Sequence, residues 1–191
     1  MKINSVDFIN KINALPDRDY LLSMIYFSAA PTIKGNKPST LVTFTKNKRN
    51  LYDLWNTHKE FICNRLDMEY VQLRERHNSV RVLFYKRELM EKCLFKKECR
   101  DFLNSMGYDS ETTLEECIAK LKNRFEYICP HEIGIFLGIP VEDVIGFIIN
   151  NGENSIICKY WKVYHNPENA RLLFDSYDKA RECVKSLLIS L

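Results

Sequence analysis

Glycine and proline are scarce in this sequence, six of each in 191 residues. A chain with so few breakers is neither collagen-like nor low-complexity. With 46% hydrophobic and 28% charged residues it has the means to bury a core instead of staying disordered. Long apolar runs are missing too. The longest near-apolar stretch, residues 21–30, is interrupted by Ser23 and Ser28 and falls far short of a bilayer span, and residues 1–7 hold no apolar signal core. No membrane partner is expected. No two of the seven cysteines (63, 93, 99, 117, 129, 158 and 183) have C-x-x-C spacing, and the number is odd. That set argues against a disulfide framework and for free thiols in a reducing cytoplasm, most of them small buried hydrophobes. The length suits a single domain over 1–191, which buries roughly 70% of the surface of its unfolded chain without help from metals or disulfides.

A strong excess of one charge is also absent. The net charge of +3 is too small for a dedicated nucleic-acid binder. Its distribution is uneven. Residues 1–100 carry 19 Lys+Arg against 11 Asp+Glu, and residues 101–191 carry 9 against 14. Either the two halves attract each other within one fold, or the basic half meets an anionic ligand or acidic partner.

What is present reads as a mixture of helix and strand. Short amphipathic helices are predicted near 4–14 and 18–28, split by Pro16-Asp17. Residues 30–39 read as a breaker-rich loop and 41–45 as a β-branched strand. Asn50 is placed to cap a helix carrying Leu51, Leu54, Trp55, Phe61, Ile62 and Leu66. Residues 68–75 and 80–86 flank His77-Asn78-Ser79 as a hairpin, with Val80, Val82 and Phe84 alternating onto an inner face. Helical patterning returns over 87–106, with Gly107 as its stop, and over 111–126.

The last third is the most legible. Residues 129–138 predict a short helix ending at glycine, Pro140 opens a second over 141–149, and 155–164 predicts a strand of the same sheet. Asn166-Pro167-Glu168 starts a final helix whose apolar stripe runs Leu173, Tyr177, Ala180, Val184, Leu187, Leu191. The expected fold class is α+β: a small antiparallel or mixed sheet covered by several helices.

Several of these segments carry a family likeness. Pro130-His131-Glu132-Ile133-Gly134-Ile135-Phe136-Leu137-Gly138-Ile139-Pro140-Val141-Glu142-Asp143-Val144, then Gly146-Phe147-Ile148 and Tyr160-Trp161-Lys162-Val163-Tyr164, resemble domain-of-unknown-function family 3793 of anaerobic Gram-positive bacteria. The likeness is densest over 129–181. Ala30-Pro31-Thr32, Gly35, Lys37-Pro38 and Trp55-Asn56 extend it. Family members often carry a cysteine before the Ala-Pro-Thr run, where this chain has Ala29. The resemblance implies no activity.

The candidate sites therefore rest on the residues themselves. The helix pair over 132–149 has helix-turn-helix spacing. Its second helix offers Glu142 and Asp143 and no basic residue, so it is not expected to read DNA. Cys129, His131 and Glu132 form the one close cluster of metal-ligating or acid–base groups, and Cys158 is a possible fourth member. Adjacent helical residues diverge by about 100°, so His131 and Glu132 do not readily face one point, and no metal is assigned. In residues 32–39, Thr32, Lys34 and Lys37 beside Gly35 suit an anion but lack phosphate-loop spacing. Tyr160, Trp161, Lys162 and Tyr164 lie on one predicted strand, with Trp161 facing opposite Tyr160 and Lys162, and read either as an ordinary sheet face packed against helices or as a platform for a flat ligand such as a flavin or a porphyrin.

These residues predict a binding or accessory protein. It would hold a small anionic ligand through His131, Glu132, Lys162, Tyr160, Thr32 and Lys37, or dock an acidic redox partner such as flavodoxin through the basic half. The alternative is a small enzyme using His131 and Glu132 as acid and base on an anionic substrate. No cofactor is specified by the sequence. His131 is expected to share a pocket with the 32–39 loop and the 160–164 segment.

Overall fold

Strand β3 organises the molecule. In the computed structural model, which describes residues 5–47, 49–109 and 112–190, β3 (Ser79–Tyr85) lies between β1 (Ser39–Thr45) and β2 (Glu69–Arg76), antiparallel to both. The predicted hairpin is β2–β3. The alternation is real, but both of its faces are buried. Val80, Val82 and Phe84 meet Leu21, Ile25, Phe44, Trp55 and Ile62 from α2 (Asp17–Ser28), β1 and α4 (Leu51–Cys63). Phe44 stacks on Trp55 at 5.0 Å, and Trp55 meets Phe84 edge-on at 5.5 Å. On the opposite face Leu83 and Tyr85 pack on α5 (Arg87–Leu94), α6 (Lys97–Ser105), α7 (Leu114–Phe125), α8 (Ile133–Phe136) and α9 (Val141–Ile149). Leu73 joins that second core from a bulge in β2, where the register shifts between Gln72 and Arg74.

Local signals account for most boundaries. Asn50 accepts from the Asp53 amide as the cap of α4. Thr113 and Glu116 form a reciprocal capping box at the start of α7. The Asn166 side chain accepts from the Asn169 amide at the head of α10 (Pro167–Ser190). Helix α10 packs against α1 (Ser5–Asn13), α2 and the short α3 (Ala30–Ile33). Among the described residues no helix is long and apolar enough to cross a membrane.

Four expectations need correction. Residues 30–33 are a helical turn, since Pro31 is tolerated there and Ala30 is buried against Ala180 and Val184 of α10. The 87–106 helix is two helices, α5 and α6, broken at Phe95-Lys96. The stripe on α10 continues from Val184 to Leu188, not to Leu187. Leu187 is exposed, and Leu191 lies outside the described residues. Finally, 155–164 is not a strand of the main sheet. It folds on itself as β4 (Ile157–Cys158) and β5 (Lys162–Val163), pairing Ile157 with Val163 and Cys158 with Lys162. Its aromatics find their partners on α10: Trp161 lies 4.5 Å from Phe174, and Tyr160 lies 5.2 Å from Tyr177. That packing replaces sheet pairing.

Candidate functional site

The β4–β5 hairpin is held onto α9 by one buried carboxylate. Asp143, in the first turn of α9 and 1% exposed, accepts from Trp161 Nε1 at 2.7 Å, from the Tyr164 amide at 2.7 Å and from the His165 amide at 2.8 Å. The approach is close because residue 146 is glycine. A Cβ there would lie 2.5 Å from that of Tyr164. At the other end of the pair, Gly138 turns the chain at φ +75° and lies directly on Pro38, which ties the 35–38 loop to the end of α8. Ser39 Oγ reinforces this junction by donating to the Phe136 carbonyl at 2.7 Å.

Between α8–α9 and the hairpin these constraints leave a cavity of about 570 Å³. Ile133, Leu137, Ile139, Val144, Phe147 and Trp161 supply apolar walls, and His131, Lys159, Tyr160 and Lys162 supply polar groups. His131 is exposed, with its ring 5.6 Å from that of Phe147. Lys162 donates to the Gly152 carbonyl, and Lys159 pairs with Asp178 at 2.5 Å. Each ammonium has further donors beyond these contacts. The Tyr160 hydroxyl donates to Asp178 at 2.6 Å. Burial, and then that bond, push its pKa up to about 12, so the phenol keeps its proton.

Of the residues selected from sequence as ligand-binding, His131, Tyr160 and Lys162 meet at this cavity, whereas Glu132, Thr32 and Lys37 do not. Glu132 turns inward. It is 1% exposed, ion-paired with Arg124 of α7, and accepts from the Tyr108 hydroxyl at 3.4 Å. His131 and Glu132 lie in the turn before α8, not within a helix. Tyr160 and Trp161 lie in the hairpin turn, so residues 160–164 are not one strand. Thr32 is fully buried and shares a 2.8 Å hydrogen bond with Thr40. Lys37 lines a second cleft of about 380 Å³, which borders the first through Ile139. There its ammonium sits 5.9 Å from the Tyr177 ring, and burial, followed by the charge of Arg181, lowers its pKa to about 8. Thus the 35–38 loop and His131 flank neighbouring cavities rather than one.

Cys129 and Cys158 both reach the cavity of His131. Among the described residues, however, no three His, Cys, Asp or Glu side chains gather closely enough to hold a metal. Sequence reasoning missed Phe147, Lys159 and the Asp143 clamp. Asp143 reads in sequence as an ordinary first-turn acid. Its three donors lie 18 to 22 residues onward, at a range no helical or strand period reveals.

A search of curated proteins and a search of solved structures each return no match. A family model does match, over residues 25–190, under the description "Protein of unknown function (DUF3793)". The matched span contains all the residues that enclose both cavities, and the chain belongs to this family.

Proposed function

We propose that this chain is a binding protein for a small ligand with a flat apolar body and one anionic group, held between α8–α9 and the β4–β5 hairpin. The observation that carries the reading is the cavity itself. Its volume suits a drug-sized molecule, its walls are aliphatic and aromatic, and its polar groups are cationic or neutral apart from Asp143. Asp143 is already engaged by three donors and has little left to offer a ligand. The ligand's ring lies against Phe147 and Trp161, and its anion faces Lys162 and His131. Glu132 is committed to Arg124, which favours recognition over acid–base chemistry with His131. All seven cysteines are free, in keeping with a reducing cytoplasm.

Two dyes with one body test this. Anilinonaphthalene sulfonate carries an anion, and N-phenylnaphthylamine is its neutral counterpart. The sulfonate is expected to bind saturably with one site per chain, and Lys162→Met to weaken the sulfonate but not the amine. Equal effects on both dyes, or no saturable binding of either, would overturn the reading. Native mass spectrometry of protein purified without oxygen then identifies any ligand it carries.

A second reading has its own observation. Lys92, Lys96 and Lys97 are all exposed about the α5–α6 junction, which favours docking of an acidic redox protein such as a flavodoxin. Such binding weakens as salt rises to physiological strength, and salt-independent association would refute it.

A further inference from the structure

The second cleft carries chemistry of its own. It is bounded by the 35–38 loop, the α5–α6 junction, residues 138–142 and one side of α10. Two thiols lie in its wall, Cys93 near the end of α5 and Cys99 in the first turn of α6. The break at Phe95-Lys96 separates the two helices, and the two thiols neighbour each other across it in the wall of the cleft. Cys93 is half-buried, while Cys99 is 6% exposed and sits behind it. When protonated, Cys93 Sγ donates to the Ile135 carbonyl at 3.4 Å, which fixes its position in the wall. Lys37, Lys92 and Lys96 line the same cleft, with Glu98 and Glu142 as the acids.

We propose that Cys93 and Cys99 form a dithiol site that reduces a hydroperoxide and closes to a reversible disulfide, with Cys93 as the attacking sulfur and Cys99 as the resolving one. The arrangement separates the two roles. The sulfur on the accessible side meets the oxidant, and the sulfur behind it is protected until its partner has reacted. Electrostatics point the same way. The neighbouring Cys99 thiol lowers the Cys93 pKa against the effect of burial, and the Lys96 charge adds to it. Cys99 moves in the opposite direction, first through the Cys93 sulfur beside it and then through burial, so it keeps its proton. Lys37 lines the same cleft, and its ammonium, with a pKa lowered to about 8, is the proton source for the leaving oxygen.

The steps balance. The Cys93 thiolate attacks one peroxide oxygen and the O–O bond breaks, so Cys93 becomes a sulfenic acid and the other oxygen leaves as hydroxide or alkoxide and takes a proton. Cys99 sulfur then attacks the Cys93 sulfur. The S–O bond breaks, water leaves with the Cys99 proton, and the S–S bond forms. Two electrons pass from the two thiols to the peroxide, and a dithiol reductant restores them.

Exposed Cys129, Cys158 and Cys183 serve as internal controls, because access alone would have them react first. The full reduced chain is treated with one equivalent of hydrogen peroxide, alkylated with N-ethylmaleimide and mapped by peptide mass. The expected product is a 93–99 disulfide, reversed by dithiothreitol, formed at least about tenfold faster than oxidation of any exposed cysteine. In Cys99→Ser, dimedone should trap a sulfenic acid at residue 93. In Cys93→Ser, Cys99 should stay reduced. Oxidation that lands first on the exposed cysteines, or absence of a 93–99 link in the wild-type chain, would overturn the proposal without any variant having to fold.

Discussion

Replacing Asp143 is the most informative single perturbation, because one side chain holds a wall of the proposed ligand cavity. Asp143→Ala strands the Trp161 indole N–H and the amides of Tyr164 and His165. A buried donor without a partner costs about 1–3 kcal/mol. The two amides are part-buried and regain some water, so they fall at the low end, whereas the indole is buried. A destabilisation of about 3–5 kcal/mol follows from the three donors together. Asp143→Asn should cost about half as much. Its oxygen still accepts from both amides, while its NH2 faces the indole donor. Urea unfolding followed by far-UV circular dichroism measures both changes. With a slope of about 2 kcal/mol per molar urea, the Ala variant shifts the midpoint by about 1.5–2.5 M. The Trp161 contribution to the fluorescence should shift to the red, and dye binding at the cavity should be lost. A cost below about 1 kcal/mol for Ala would refute the reasoning, as would a larger cost for Asn than for Ala.

Three further outcomes are expected. His131→Ala should weaken the sulfonate dye while changing stability by less than about 0.5 kcal/mol, whereas Glu132→Ala, which leaves the buried Tyr108 hydroxyl without its acceptor and Arg124 without its ion pair, should cost about 1–3 kcal/mol; thermal melts and dye titration compare the two. Gly146→Ala drives a methyl into the Tyr164 side chain and should cost about 1–3 kcal/mol in urea unfolding. Lys37 has its pKa lowered on folding, so the folded chain binds fewer protons than the unfolded one and this group adds stability as pH rises from about 8 toward its ordinary 10.5. The slope is at most about 1.4 kcal/mol per pH unit, and the difference between the wild-type and Lys37→Met stability profiles over pH 8–10 reads it out, because the cysteines and tyrosines titrate in both chains.

Much of the fold is legible in the sequence because its determinants are local. Asn50, Gly107 and Asn166-Pro167 mark helix ends within one turn of the residues they cap, and the alternation of 80–85 needs only its neighbours. The errors share one cause. Residues 155–164 have the β-branched and aromatic composition of a strand, yet their partners are Phe174 and Tyr177 on α10. Likewise, the reading that placed Val80, Val82 and Phe84 inward left Leu83 and Tyr85 without a role. Only the order β1-β3-β2, with helices on both faces, makes β3 central and buries both sets.

The candidate site shows the same limit more sharply. His131, Tyr160 and Lys162 can be selected by residue type, because cations and aromatics in a short span suggest recognition whatever the fold. Whether they meet depends on contacts that composition does not encode: a hydrogen at position 146 instead of a methyl, and a carboxylate at 143 with an indole and two amides within reach. The neighbouring residue shows the reverse. Glu132 looks as reactive as His131 in sequence, but at this turn the chain sends one side chain to the cavity and the other to Arg124. Burial then decides the chemistry. An exposed imidazole beside Phe147 remains available to a ligand, whereas a 1%-exposed carboxylate must keep its ion pair or leave a charge unpaired in the core. The same sorting separates Cys93 and Cys99 from the three exposed cysteines: they share the wall of the second cleft across the break between α5 and α6, which the continuous helical pattern of 87–106 conceals.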